Sequence, residues 1–161
     1  MNLSKFSMKK LLGMAARAEI DANKTYLKLS EKVNNPLLKE KFAILAFEEK
    51  KHEKLIRNLF KSMYKSEAIQ IPKAVDPALL PAVVIKPSSS LVDLLSQAMA
   101  AEESAQNFYA GLAARVKAEK KRLLEYLSKV EKSHYLMLKS ELVMALTFED
   151  YAEKDIDKVV S

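Results

Sequence analysis

The motif Glu-x-x-His occurs twice in this chain of 161 residues, as Glu49–His52 and as Glu131–His134. These are the only two histidines in the sequence. Residues three apart lie on one face of an α-helix, and in both places that face is otherwise apolar. Burying an unpaired charge in a protein core costs several kcal/mol. The two motifs therefore predict helices that bring their polar groups together in one interior site.

Each motif belongs to a repeated two-helix unit. Around residue 19 the sequence reads AEIDANKTY, and around residue 102 it reads AEESAQNFY. In both segments a glutamate, Glu19 or Glu102, is followed seven residues later by a tyrosine, Tyr26 or Tyr109. The second helix of each unit then carries Glu-x-x-His. Because the two glutamates of a unit are about equally far from the break between its helices, an antiparallel hairpin places them at one level.

Apolar residues at steps of three and four predict four long amphipathic helices. Their ranges are 4–33, 36–64, 91–116 and 119–146. Asn35 is predicted to cap the second helix, with Pro36 at its first position. Ser90 and Asp93 form a predicted capping box before the third helix. Thr147 is predicted to cap a short C-terminal helix over residues 147–158.

Residues 65–90 are predicted to form a crossover between the two hairpins. Residues 71–90 contain four of the five prolines and cannot continue a helix. The run ALLPAVVI is too apolar to be left in water, so it is expected to pack on its own bundle or across a dimer. The prediction is a single all-α domain over residues 1–161, with hairpins over 4–64 and 91–146.

Composition excludes several other classes of protein. With no cysteine the chain has no disulfide, thiolate zinc site, iron–sulfur cluster or cysteine nucleophile. The net charge of +6 comes from lysines interspersed with glutamates, so we expect a solvated helical surface and no nucleic-acid binding. No apolar run is long enough to span a bilayer, and the first residues lack a signal peptide's apolar centre. We therefore expect a cytoplasmic protein without membrane association.

Packing the apolar faces of the hairpins together would bring four carboxylates and two imidazoles into one layer. Such a cluster needs protonation, pairing with buried cations or bound metal. The apolar faces contain no lysine or arginine, whereas two divalent cations would balance four carboxylates, with neutral histidines completing the ligand shell. The candidate ligands are Glu19, Glu49, His52, Glu102, Glu131 and His134.

This arrangement resembles the ferritin-like di-iron carboxylate bundles, in which two helices give one glutamate each and two others give Glu-x-x-His. Within that group the sequence is similar to the rubrerythrin-type proteins, over nearly the whole chain. The resemblance implies a four-helix bundle that binds two iron ions, bridged by Glu49 and Glu131. It also implies that Tyr26 and Tyr109 hydrogen-bond near the metals, although a tyrosine on such a face can simply be part of the core.

The sequence departs from the family pattern at two points. Full-length rubrerythrins add a rubredoxin-like domain with four cysteines, so this chain resembles the shorter forms that lack it. Electrons would then come from an external rubredoxin-like donor. Typical rubrerythrins also carry an extra glutamate one turn beyond the third helix's ligand, where this sequence has Ser104, Ala105 and Gln106. That glutamate takes part in a redox-linked shift of iron, which the resemblance therefore does not imply for this chain.

The resemblance implies an enzyme that reduces hydrogen peroxide, or dioxygen, and forms a homodimer. Three alternatives use the same ligands: a ferroxidase that handles iron, a bundle that a metal such as zinc or manganese merely stabilises, and a di-manganese catalase. Three other glutamates flank the candidate ligands but lie off the apolar faces, and we expect them to pair with surface lysines. They are Glu48, Glu53 and Glu103.

Overall fold

The structure is a computed structural model and describes residues 3–148. Four α-helices follow one another along the chain: α1 (Met8–Lys32), α2 (Pro36–Met63), α3 (Leu91–Ala113) and α4 (Ala118–Thr147). α1 packs along α2, and α3 packs along α4. The predicted all-α bundle of two hairpins joined by a long crossover is therefore confirmed. None of these four helices is long and apolar enough to cross a membrane.

Side-chain caps fix where three of the helices begin. Ser7 accepts a hydrogen bond from the backbone N–H of Lys10 at the start of α1. Asn35 accepts from the first N–H groups of α2, as predicted. Ser90 and Asp93 form the predicted reciprocal capping box at the start of α3. Each such cap stabilises its helix by about 1 kcal/mol.

Three predicted boundaries were wrong by a few residues. α1 begins at Met8 and not at Ser4, because Ser7 supplies the cap. α3 ends at Ala113, since residues 114–116 form the turn into α4. Thr147 is the last residue of α4, and its hydroxyl donates to the carbonyl of Val143, so it does not cap a new helix. The rest of the predicted helix over 147–158 lies outside the described residues.

The apolar core forms two clusters, one towards each end of the bundle. The first includes Leu11, Leu12, Ile56, Leu59, Leu112 and Leu124. The second includes Leu29, Leu38, Phe42, Leu45, Leu95 and Leu138. Between these clusters lies the layer that contains the polar candidates of all four helices.

The crossover packs on its own bundle. Ile69 and Val75 contact the first core cluster, while Val83 and Ile85 contact the second. The segment therefore runs along the bundle from one cluster to the other. Gly13 in α1 permits its close approach, because a Cβ there would overlap the carbonyl oxygen of Gln70.

Candidate metal centre

All six predicted ligands lie together in the layer between the core clusters. None of these residues is more than 4% exposed. Each helix contributes its share as the repeat predicts: one glutamate from α1, one from α3, and a glutamate–histidine pair from each of α2 and α4. The residues are Glu19, Glu49, His52, Glu102, Glu131 and His134.

The two histidines direct the same ring atom at the carboxylates. Nδ1 of His52 lies 3.0 Å from Glu49, 2.9 Å from Glu131 and 3.6 Å from Glu19. Nδ1 of His134 lies 3.0 Å from Glu49, 3.2 Å from Glu131 and 3.5 Å from Glu102. The rings are nearly parallel, with centroids 5.6 Å apart. The site is thus close to two-fold symmetric, as the sequence repeat is.

Glu49 and Glu131 are shared between the two halves of the site. Glu49 directs Oε2 at His52 and Oε1 at His134. Glu131 directs Oε1 at His52 and Oε2 at His134. A carboxylate placed in this way can give one oxygen to each of two ions. Glu19 and Glu102 each lie on one side only.

The ligand atoms form two overlapping groups, each of which could hold one metal ion. Within a group, one candidate atom from each residue lies within 4.8 Å of all the others. Glu49 and Glu131 belong to both groups. The first group is Glu19, Glu49, His52 and Glu131; the second is Glu49, Glu102, Glu131 and His134.

Protonated groups balance the charge of the cluster when only protein atoms surround it. Burial lowers the pKa of His52, but the close carboxylates of Glu131, Glu19 and Glu49 outweigh this and raise it to about 12. Burial acts in the same direction on His134, but the close carboxylates of Glu102, Glu131 and Glu49 again exceed it and raise the pKa well above its usual range. Both imidazoles are therefore cationic at neutral pH.

Two of the carboxylates have raised pKa values, and a third has a lowered one. Burial and the charge of Glu49 raise the pKa of Glu19 to about 8. Burial and the charge of Glu19 raise the pKa of Glu131 to about 7, against the hydrogen bonds of the histidines. For Glu102, burial raises the pKa, but the nearby imidazole of His134 and the hydroxyl of Tyr26 outweigh burial and lower it. Without metal, the protons on these groups therefore supply the positive charge that bound cations would supply.

The residues fit a pair of divalent cations. Three atoms of the cluster are fully buried and have no hydrogen-bond partner with suitable geometry: Oε1 of Glu49, Oε1 of Glu131 and Nδ1 of His134. Unsatisfied buried polar atoms of this kind are rare in proteins. Among residues 3–148, no lysine or arginine forms an ion pair with the six side chains. Nitrogen and carboxylate donors suit iron, manganese and zinc.

Two tyrosines connect the halves of the site. The hydroxyl of Tyr26 on α1 donates to Glu102 on α3, and the hydroxyl of Tyr109 on α3 donates to Glu19 on α1. Both rings are fully buried in the bundle. Each tyrosine therefore fixes the glutamate of the opposite hairpin, a contact that the sequence repeat alone did not specify.

Of the three flanking glutamates, Glu48 was assigned wrongly. Its Oε2 lies 2.6 Å from Nε2 of His134, on the ring edge that faces away from the cluster. A carboxylate on the outer nitrogen of a ligating histidine orients the ring and raises its basicity. Glu53 pairs with Lys50, as predicted, and also with Arg57, although its side chain is buried. Glu103 is exposed on α3.

A cavity of about 160 Å³ adjoins the cluster. α1 and α3 form two of its walls, and the crossover forms the third. Glu19, Glu49, Glu102 and Glu131 lie at its inner end. The rest of its lining is mostly aliphatic and includes Ala105, about one turn beyond Glu102 on α3.

The fold and this cluster define a ferritin-like bundle of the di-iron carboxylate class. Residues 10–142 match the Rubrerythrin family, and the chain belongs to that family. None of the curated proteins matches the sequence.

Solved structures that are similar to the chain include the following three. A hypothetical protein from Pyrococcus furiosus is 42% identical, with a TM-score of 0.81 over 91% of this chain and 94% of that one. A putative ferritin-like diiron-carboxylate protein from Thermotoga maritima is 20% identical, with a TM-score of 0.72 over 87% and 97%. A manganese catalase from Anabaena PCC7120 is 20% identical, with a TM-score of 0.62 over 84% and 72%. The last two likenesses concern the fold.

Proposed function

We propose that this protein is a non-haem di-iron oxidoreductase that reduces hydrogen peroxide with electrons from an external donor. The observation that supports this most directly is the placement of Glu49 and Glu131, each with one oxygen towards each histidine. Family membership supports the same reading. A cytoplasmic location, expected from the sequence, and a homodimer, implied by the family resemblance, belong to this proposal.

The six residues would act as the ligands of two ions. Glu19 and His52 would serve one ion, Glu102 and His134 the other, and the two shared glutamates would bridge them. Two ferrous ions bound there would supply two electrons and a Lewis-acidic site for a peroxide. The protein's own part is to place the charges and to keep the site enclosed, since all six side chains are buried.

The surrounding residues would hold this arrangement during turnover. Tyr26 and Tyr109 donate to Glu102 and Glu19, which limits the rotation of the two unshared carboxylates. The cavity beside them gives a small uncharged oxidant a way in. None of the 161 residues is a cysteine, so we assign the electron supply to a rubredoxin-like donor outside these residues.

A manganese catalase is the second candidate, and the symmetry of the site favours it. Each group contains one unshared glutamate, one histidine and the two shared glutamates. Typical rubrerythrins carry an extra glutamate that would make the groups unequal, one turn beyond the ligand of α3, where this chain has Ser104, Ala105 and Gln106. Catalase activity needs no external reductant. Oxygen evolution from hydrogen peroxide by manganese-loaded protein, without a donor, would move the assignment to this candidate.

Stopped-flow absorbance tests the proposal. Protein loaded anaerobically with two ferrous ions per chain is mixed with hydrogen peroxide or with dioxygen. Faster oxidation by hydrogen peroxide is the expected result, and faster oxidation by dioxygen would instead indicate a ferroxidase or oxidase. A protein that does not take up iron would contradict both, and would leave a structural metal or manganese site.

Glu131→Gln and Glu103→Gln form a matched pair for this experiment. Both remove one carboxylate charge, but Glu131 is buried in the cluster while Glu103 is exposed on the neighbouring helix. Glu131→Gln is expected to abolish metal-dependent turnover, whereas Glu103→Gln is expected to keep it. Wild-type turnover in Glu131→Gln would refute the assignment of the ligands.

A further inference from the structure

We propose that the cavity beside the cluster binds a small alkyl hydroperoxide, with its alkyl group among the aliphatic side chains and its peroxide group towards Glu19 and Glu102. This inference rests on the proposed function and names its substrate class. The size, lining and position of the cavity carry it.

Small aliphatic side chains dominate the lining. Six alanines contribute to it, from α1, α3 and the crossover: Ala18, Ala22, Ala74, Ala82, Ala101 and Ala105. Val75 and Leu80 of the crossover close the same space. Hydrogen peroxide would lose hydrogen bonds with water on entering such a lining and regain few, which is unfavourable. An alkyl group gains from the same transfer.

The cavity is larger than hydrogen peroxide requires. Its volume is about 160 Å³. An apolar cavity of about 150 Å³ stays dry and binds benzene, whereas a water molecule occupies only about 30 Å³. tert-Butyl hydroperoxide has as many non-hydrogen atoms as benzene. A four-carbon hydroperoxide therefore matches the space, and hydrogen peroxide would leave most of it unfilled.

The cavity connects the surface with the cluster, so a substrate bound in it would be oriented. Ala74 and Ala82 lie at the outer end and are exposed, while Asp21 and Thr25 make the rim polar. The inner end is formed by glutamates of the cluster. An amphipathic molecule fits this cavity with its polar end towards the glutamates and its apolar part among the aliphatic side chains. The apolar run ALLPAVVI in the crossover is explained in the same way, because part of it forms the wall.

The reaction balances with the donor already named. The O–O bond of the hydroperoxide accepts two electrons and breaks. One proton is added to the alkyl-bearing oxygen to give an alcohol, while the other oxygen takes up a proton to leave as water. The electron-donor protein is oxidised by two electrons in each turnover.

Binding is tested without turnover. Zinc-loaded protein, which is redox-inert, is titrated with tert-butanol and followed by two-dimensional amide NMR. Saturable shifts are expected at Ala22, Ala101 and Ala105. Ala105→Leu adds three carbons inside the cavity and is expected to weaken binding at least tenfold, while Ala100→Leu, the same change at an exposed position of α3, is expected to leave it unchanged. Absence of saturable shifts at the lining alanines would overturn the proposal.

Reactivity is tested with ferrous-loaded protein and two oxidants. tert-Butyl hydroperoxide is expected to oxidise the iron at least as fast as hydrogen peroxide does, and Ala105→Leu is expected to lower the ratio of the two rates more than tenfold. Rapid oxidation by hydrogen peroxide with little reaction of tert-butyl hydroperoxide would overturn this inference alone. Failure of both oxidants would overturn the proposed function as well. Should Ala105→Leu not fold, as circular dichroism would show, the wild-type rates and shifts still decide.

Discussion

Filling the cluster with two divalent ions should release about three protons at pH 7. His52, with a pKa of about 12, and His134, with a raised pKa, are both protonated at that pH. Their Nδ1 atoms are the ones that face the carboxylates. A metal can bind these nitrogens only after the protons have left.

The number of protons follows from the pKa values. Each histidine gives up one proton. At a pKa of about 8, Glu19 is roughly nine-tenths protonated at pH 7, and Glu131, at about 7, is roughly half protonated. The total is about three protons for the two ions. Each released proton makes the apparent affinity rise about tenfold per pH unit, so the overall constant should rise by about a thousandfold between pH 6.5 and 7.5.

Calorimetry measures this release directly. EDTA-treated protein is titrated with Zn²⁺ at pH 7 in buffers with different enthalpies of ionisation, and the slope of observed enthalpy against buffer enthalpy gives the number of protons. A slope of about three is expected. A slope below one would refute the reasoning, because it would mean that the metal does not displace the protons on the histidines.

Three further results are expected. Glu48→Gln should weaken the binding of one of the two ions by 10–100-fold, because it replaces the carboxylate on Nε2 of His134, and competition with a chelator would measure this. Metal-free protein should lose stability as pH rises from about 5 to 8. Glu19 and Glu131 have raised pKa values in the folded state, so their contribution is fully present below their unfolded values and is lost as pH rises towards 8 and 7, and the two histidines add to the loss above about 6.5 because their folded pKa values are raised too. Each group that is protonated only in the folded state contributes about 1.4 kcal/mol per pH unit, and denaturant unfolding would measure the sum. Gly13→Ala should destabilise the protein by about 1–3 kcal/mol, because the new Cβ overlaps the carbonyl of Gln70 and displaces the crossover.

Controls exist for each of these three. Glu103→Gln makes the same change as Glu48→Gln at an exposed site, and an equal loss of affinity in both would exclude a specific effect on His134. Metal-loaded protein should not lose stability over the same pH range; parallel curves with and without metal would count against the buried cluster as the source of the loss. Gly111→Ala meets only the side chain of Leu3, which can move, so it should cost less than Gly13→Ala.

Much of the fold was predictable because the repeat in the sequence is a repeat in space. Each apolar face is interrupted by a glutamate, or by a glutamate and a histidine. These interruptions indicated the layer that lies between the two core clusters in the structure. Asn35 and Ser90 marked helix starts because their side chains can satisfy free N–H groups. The six candidate ligands come together since they lie at equal distances from the two turns.

The features that the sequence did not predict depend on the rotation of each helix about its axis and on contacts between the hairpins. A local sequence pattern does not determine either of them. Glu48 looks like a surface residue in α2, and only the packing of α4 beside it brings His134 within reach. Tyr26 and Tyr109 each contact a glutamate of the other hairpin, and their spacing within their own helix does not show that. The cavity likewise exists only where the crossover lies over α1 and α3.

The most direct test is anomalous diffraction at the iron edge from crystals of iron-loaded protein. Two peaks per chain are expected, one among Glu19, Glu49, His52 and Glu131, and one among Glu49, Glu102, Glu131 and His134. A single peak, or peaks outside this layer, would contradict the assignment of a two-ion site bridged by Glu49 and Glu131.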